Sequence, residues 1–161
     1  MVSVCYTDGL KGTTENRPQT AAGLCEIGPE GETVRTGAWN TGLRAKVADT
    51  EAFGVYKALV GALETQPPPK TLYIFVDSQA AIQRLHNPGN PTIQKAKGIA
   101  ETLVRRGIRI HIVWCPSHQG IPGNEIADLQ AKRGLQQPPD SEAYTSIGYL
   151  RSLARKQVIS D

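Results

Sequence analysis

Residues 71–77, Thr-Leu-Tyr-Ile-Phe-Val-Asp, are the stretch that decides the fold. The run before Asp77 is short and almost wholly apolar, which is typical of a β-strand covered on both faces. Pro67, Pro68 and Pro69 lie just upstream and forbid a helix from continuing into this strand. A strand of this kind needs helices packed on its sheet, so the stretch predicts an α/β protein.

The N-terminal part of the chain predicts three strands and one helix. Apolar and polar residues alternate along the first strand. Asp8 continues the series of alternate positions Val2, Val4 and Tyr6, which are predicted to face the core. Gly9 ends this strand and opens a polar loop that reaches Thr20. The strands are joined by short loops, which favours an antiparallel meander; they are predicted at 2–8, 21–27 and 33–39. A helix capped by Asp49 or Thr50 then runs to about Leu63.

The C-terminal part adds one strand and three helices. The helices are predicted at 78–85, 92–106 and 124–133, with a strand at 108–114. The complete order is βββαβααβα, which predicts a five-stranded mixed sheet with helices packed on it. We expect one domain over residues 1–134. Residues 135–161 are predicted as a linker and a basic C-terminal helical tail, which docks on the domain or belongs to a longer parent chain.

Composition limits the classes of protein to which this chain can belong. The chain has 161 residues, of which 39% are hydrophobic and 20% charged, so it can bury enough apolar surface to fold. No apolar run approaches the length of a membrane helix, and no secretory signal precedes the first strand. Three cysteines without metal-ligand spacing favour free thiols, and we expect an intracellular protein of the nucleus or cytoplasm. A net charge of +3 permits a nucleic-acid partner without demonstrating one.

Four carboxylates stand where apolar residues are expected: Asp8, Glu51, Asp77 and Asp128. Each has an ordinary structural explanation. Asp8 suits a turn and Asp77 a helix cap, Glu51 complements a helix dipole from a first turn, and Asp128 can pair with Lys132.

Taken together, these carboxylates indicate a metal site. Asp8 and Asp77 end neighbouring strands, and the carboxyl ends of strands are where open sheets place functional groups. Carboxylates gathered there repel one another unless cations bridge them, and hard oxygen ligands suit Mg²⁺ or Mn²⁺ rather than zinc. His118 lies in a loop ahead of Asp128, where it is either a solvated residue or a proton shuttle beside the metal.

Four segments resemble the type 1 ribonuclease H domain, and most closely the domain in reverse-transcriptase polyproteins of non-LTR, fungal-type retrotransposons. They are Tyr6-Thr7-Asp8-Gly9, the helix with Glu51, Val76-Asp77-Ser78-Gln79-Ala80-Ala81, and residues 114–128. The last contains the specific pattern His-x-Gly-x-x-Gly-Asn-Glu-x-Ala-Asp, from His118 to Asp128. The resemblance covers about residues 1–134.

The resemblance implies cleavage of the RNA strand of an RNA–DNA hybrid by two Mg²⁺ ions, with Mn²⁺ as a substitute and a 5′-phosphate as product. The implied metal ligands and catalytic residues are Asp8, Glu51, Asp77 and Asp128, with His118 in a mobile loop. Substrate contacts are expected near Gly9, Lys46, Ser78, Gln79, Asn124 and Glu125, with the 2′-OH read from the minor groove. A polymerase domain of a parent polyprotein is the expected partner, and the isolated domain is expected to be monomeric.

The chain also departs from the family pattern. Lys46 stands in a region where cellular members carry Thr and Asn residues that hold the DNA-strand phosphate. The stretch between Asp77 and Trp114 leaves no room for the extra basic helix of some members, and the remaining basic surface consists of Lys95, Lys97, Arg105 and Arg106. That surface is either a hybrid contact or an ordinary solvated face, so we expect weak, salt-sensitive binding. Two alternatives stay open: a binding module without turnover, and another nuclease or strand transferase of the same fold.

Overall fold

The computed structural model describes residues 1–42, 46–86 and 91–143. The described part forms five strands and four helices, in the order β1 (Val2–Thr14), β2 (Arg17–Ile27), β3 (Thr33–Gly42), α1 (Val47–Glu64), β4 (Thr71–Val76), α2 (Gln79–Arg84), α3 (Pro91–Arg105), β5 (Arg109–Trp114) and α4 (Pro122–Gly134). The strands lie in one sheet in the order β3-β2-β1-β4-β5. The first three pair antiparallel, whereas β4 is parallel to both β1 and β5, so the predicted mixed sheet is confirmed.

The loop predicted after Gly9 is wrong, because β1 continues to Thr14 and turns directly into β2. Glu15 and Asn16 form the turn with φ of 52° and 62°. Positive φ at both central residues is the geometry of a two-residue hairpin turn that matches strand twist. Polar residues are tolerated in this extension because only part of it is buried: Gly12 and Thr14 meet Leu135, and the tip is exposed.

The prediction that Val2, Val4 and Tyr6 lie on the core side of the first strand is also wrong, because the residues between them are more deeply buried. Cys5 and Thr7 are fully buried beneath α1, where the added Cβ of Gly54 would lie 3.2 Å from the Thr7 Cβ. Tyr6 is on the other face, against Gly123 of α4. Since helices cover both faces of β1, the side with small residues accommodates the closely packed α1, and hydropathy alternation does not identify the core side.

All four helix starts differ from the prediction, α3 by a single residue, since it begins at Pro91. α1 begins at Val47, with Lys46 as its N-cap residue, and Glu51 is therefore in the second turn rather than the first. Asp49 is not a cap: its carboxylate accepts a hydrogen bond from Arg84 Nε at 2.8 Å, which ties α1 to α2. Ser78 is the N-cap of α2, and α4 begins at Pro122, because proline suits a first helical turn.

Residues 135–143 pack against the sheet and α1. The backbone N–H of Asp140 donates to Asn40 O at 2.8 Å, and Ala143 is fully buried. Glu142 accepts hydrogen bonds from the Tyr56 hydroxyl and from Lys57 Nζ, the latter at 3.1 Å. The predicted basic helical tail lies outside the described residues beyond Ala143. Across the described ranges, no helix has the length and apolar character needed to span a membrane.

Candidate metal centre

The pairing of β1 with β4 places Asp8 and Asp77 side by side. The last parallel pair joins Thr7 to Val76, so Asp8 and Asp77 follow the two partners directly. Asp8 does not end its strand as expected, since β1 continues, but it lies where the parallel pairing stops. The two carboxylates therefore project from the same level of the sheet.

Glu51 reaches this point because Gly9 has no side chain. A Cβ at Gly9 would lie 2.6 Å from Glu51 Cγ and 3.0 Å from Glu51 N. The Gly9 N–H also donates to Asp8 Oδ1 at 2.8 Å. Gly9, expected as a substrate contact, is thus buried within the site and allows α1 to approach β1 closely.

Asp8, Glu51 and Asp77 converge into one cluster. Each offers a carboxylate oxygen, and these oxygens all lie within 4.8 Å of one another. Asp8 is 6% exposed and Glu51 is 4% exposed. Three acidic groups this close cannot all ionise cheaply away from water unless a cation joins them.

The electrostatics of the cluster follow from this crowding. Burial, and then the Asp77 charge, raise the pKa of Asp8 to about 8. Burial raises the pKa of Glu51 to about 7, against the opposing hydrogen bond of Ser78. The pKa of Asp77 is raised by burial, while Asp8 and the charge of His118 act in the opposite direction. The metal-free cluster is therefore partly protonated near neutral pH.

The donor set fits a hard divalent cation. Glu51 Oε2 is buried and has no hydrogen-bond partner among the described residues. An unpartnered, buried oxygen on a glutamate whose carboxylate lies close to two others is an arrangement that a metal ion satisfies and that a purely structural role leaves costly. The cluster contains only oxygen donors, which suits Mg²⁺ or Mn²⁺.

Asp128 lies beside this cluster and makes an ion pair instead. Its Oδ2 accepts from Lys132 Nζ at 2.9 Å, one helical turn along α4. Asp128 is nevertheless near enough to contribute to the raised pKa values of Asp8 and Asp77. The structure thus brings three of the four predicted carboxylates together. The fourth, Asp128, lies next to them and forms an ion pair with Lys132.

The other predicted site residues lie around the cluster and differ in their exposure to solvent. His118 is exposed in the loop before α4, with φ of 55°. The Ser78 hydroxyl accepts from Ala81 N at 3.1 Å and stays close to Glu51. The exposed members are Lys46, Gln79 and Glu125. Asn124 differs, because it is 3% exposed and its Oδ1 has no partner among the described residues.

Sequence inspection did not single out Gly23, which positions Asp128. An added Cβ at Gly23 would lie 2.1 Å from Ala127 O and 2.4 Å from Ala131 N. This glycine lets α4 lie directly on β2, opposite Asp8 in the strand register. A glycine inside an otherwise regular strand pattern is itself a signal of close backbone approach.

Comparisons with known proteins agree with this arrangement. RNase H1 from the halophilic archaeon Halobacterium salinarum NRC-1 is 22% identical, with a TM-score of 0.61 over 84% of this chain and 98% of that chain. LC11-RNase H1 in complex with RNA/DNA hybrid is 18% identical, with a TM-score of 0.58 over 83% and 99%. Prototype foamy virus protease-reverse transcriptase is 23% identical, with a TM-score of 0.65 over 84% of this chain and 21% of that chain. These likenesses show the fold.

Among curated protein sequences, none matches this chain. The family model RNase H matches residues 2–136 and so spans every strand and helix named above. The chain belongs to the ribonuclease H family.

Proposed function

We propose that this protein is a metal-dependent endonuclease that hydrolyses the RNA strand of RNA–DNA hybrids. The observation that carries the proposal is the convergence of Asp8, Glu51 and Asp77 with an unpartnered, buried Glu51 oxygen. Membership in the family supports ribonuclease H activity, and one structural neighbour is an RNase H1 bound to an RNA/DNA hybrid.

Four carboxylates would hold two divalent ions. Asp8, Glu51 and Asp77 would hold the first ion, because their carboxylate oxygens all lie within 4.8 Å of one another. Asp8 would also be the ligand shared with the second ion, and Asp128 would be the additional ligand there. When bound, Mg²⁺ ions activate a water and stabilise the charge that develops on the phosphate and on the leaving 3′ oxygen, which leaves a 5′-phosphate. Mn²⁺ is the expected substitute.

The residues around the cluster would orient the substrate. His118 is exposed and close enough to Asp77 to act on its charge, so it can move a proton as product leaves. Exposed Gln79 and Glu125 flank the cluster and are the candidates for reading the 2′-OH in the minor groove. Exposed Lys46, at the start of α1, is the candidate for a DNA-strand phosphate.

The same proposal includes a reverse-transcriptase setting. The fold matches a segment of a foamy virus protease-reverse transcriptase, of which this chain covers 21%. We propose that a polymerase domain of a retrotransposon polyprotein accompanies this domain in a nuclear or cytoplasmic parent protein. The isolated domain is proposed to be monomeric and to bind hybrid weakly, with a steep loss of affinity in salt.

Cleavage of three matched substrates tests the proposal: an RNA–DNA hybrid, double-stranded RNA and duplex DNA, each with Mg²⁺ and with EDTA. We expect Mg²⁺-dependent products from the hybrid alone, and none from Asp77→Asn. Glu101→Gln, on the exposed face of α3, is the matched control and should cleave normally. Hybrid binding in Ca²⁺ with no product in Mg²⁺ would favour the binding module, and preferred cutting of duplex DNA would favour another nuclease.

A further inference from the structure

Lys132 is a cation already placed at the edge of the carboxylate cluster. Its Nζ lies 2.9 Å from Asp128 Oδ2, and its side chain is 62% exposed while that of Asp128 is 19% exposed. The pair joins residues four apart on α4, a spacing at which side chains meet without strain. The charges of Asp8 and Glu125 also act on Lys132, so its ammonium interacts electrostatically with the carboxylate cluster.

Asp128 lies close enough to Asp8 to act on its carboxyl, but it is engaged by the ion pair with Lys132. Asp8, Glu51 and Asp77 offer mutually close oxygens, whereas Asp128 is not among the members of that group. Asp128 Oδ2 is engaged by the lysine ammonium, so this oxygen is less available to a metal ion while the ion pair persists. A cation that recruits Oδ2 must therefore compete with Lys132, and a cation held by the other three carboxylates need not.

We propose that Lys132 is an internal competitor for the second metal ion: it neutralises Asp128 in the metal-poor protein and sets how much more weakly the second ion binds than the first. This inference rests on the proposed function, because it takes the carboxylates to be the metal ligands. It further implies that the ammonium, released from Asp128 when the second ion binds, is free beside the bound nucleic acid. Lys132 is thus a positioning residue for Asp128 and not a metal ligand.

Metal binding without substrate tests the inference directly. Mn²⁺ titrations, followed by calorimetry and by the electron paramagnetic resonance of free Mn²⁺, would compare the full chain with Lys132→Gln. Because exposed ion pairs are weak, we expect the second ion to bind about two- to fivefold more tightly in the variant, with little change in the first. The rise in melting temperature on adding Mn²⁺ should also be larger in Lys132→Gln.

Two controls separate this mechanism from a general loss of positive charge. Arg133→Gln removes a charge from the neighbouring exposed position on α4 and should change the second affinity less. In an Asp128→Asn background, Lys132→Gln should have no effect on Mn²⁺ binding, since its partner is gone. Lys132→Arg keeps the ion pair and should resemble the wild type.

The outcomes distinguish this inference from the proposed function. Wild-type protein that binds Mn²⁺, together with an unchanged or weaker second affinity in Lys132→Gln, would overturn the role of Lys132 alone. An equal gain in Arg133→Gln, or a gain that persists in the Asp128→Asn background, would do the same. If the wild type binds no Mn²⁺, or if Asp8→Asn leaves binding unchanged, then both the metal site and this inference fail.

Discussion

Substitution of Gly23 by alanine should damage the candidate metal centre from a distance, through the backbone of α4. The new Cβ would lie 2.1 Å from Ala127 O, 2.4 Å from Ala131 N and 3.0 Å from Ala131 Cα. All three are backbone atoms, so no flexible side chain can move aside. An ordinary contact of about 3.5 Å requires α4 to retreat from β2 by more than about 1 Å.

Two quantities should change in Gly23→Ala. Overpacking of this kind costs about 1–3 kcal/mol of stability. Asp128 directly follows Ala127, so the retreat of α4 carries this carboxylate away from Asp8, and displacement by about 1 Å can reduce turnover by about 100-fold. Urea unfolding followed by circular dichroism measures the first quantity, and Mg²⁺-dependent cleavage of a labelled hybrid measures the second.

Gly98→Ala is the matched control, because an added Cβ at this exposed position of α3 meets nothing within 4 Å. Alanine is the better helix former, so this variant should gain about 0.5–1 kcal/mol and cleave normally. The reasoning is refuted if Gly23→Ala retains wild-type stability and turnover. A loss of stability with unchanged turnover would show that α4 adapts without displacing Asp128.

Three further predictions concern stability. In EDTA, the stability that Asp8 and Glu51 contribute should fall as pH rises from about 4 to about 8, because the folded carboxyls, with pKa values raised to about 8 and about 7, keep protons that unfolded carboxyls release. Urea unfolding of the wild type and of Asp8→Asn across this range measures this contribution, and an identical pH dependence in the two proteins would contradict it. Glu142→Gln should lower stability by about 1 kcal/mol, because it weakens the contacts with Tyr56 and Lys57 that hold residues 135–143 on α1, whereas Glu101→Gln should be neutral in the same unfolding assay. Arg84→Met should cost about 1–3 kcal/mol, because it removes two hydrogen bonds to the buried Asp49 carboxylate, and a melting temperature equal to that of Arg106→Met would argue against this.

Much of the fold could be predicted from the sequence because its signals are local. The apolar run at β4 and the change from a two-residue to a helical period give the element order without tertiary information. The β1–β2 hairpin could not be predicted in this way. Its turn, Glu15-Asn16, lacks the glycine that usually marks two positive φ angles, and the strands beside it are polar.

The positions of some candidate site residues could be predicted from the sequence, and those of others could not. Asp8 and Asp77 could be placed together because parallel strands align their ends, and the structure does bring them together. Asp8 is buried as predicted, but Val2, on the same face of β1, is exposed, because helices cover both faces of this strand and hydropathy alternation does not identify the core side. A glycine within a strand, as at Gly23, signals a close backbone approach, but which element approaches Gly9 or Gly23 depends on tertiary packing that no local window contains.

Without a metal ion, bound protons and Lys132 reduce the repulsion among the carboxylates of the site. This links metal affinity to pH. Burial keeps Asp8 and Glu51 partly protonated near neutral pH, and Lys132 neutralises Asp128. A divalent ion must displace those protons, because carboxylates bind metals in the ionised form. Mn²⁺ should therefore bind more tightly at pH 8 than at pH 5.5, with protons released into the buffer.

Calorimetry in two buffers of different ionisation enthalpy counts those protons directly. Asp8→Asn should release fewer of them, because the group with the most strongly raised pKa of the pair no longer titrates. Lys132→Gln should leave the proton count near that of the wild type while strengthening the second ion, since a lysine that stays charged gives up no proton when it is displaced. An affinity that is flat between pH 5.5 and pH 8 would mean that the carboxylates are already ionised in the metal-free protein, and that lysine and solvent alone balance the cluster.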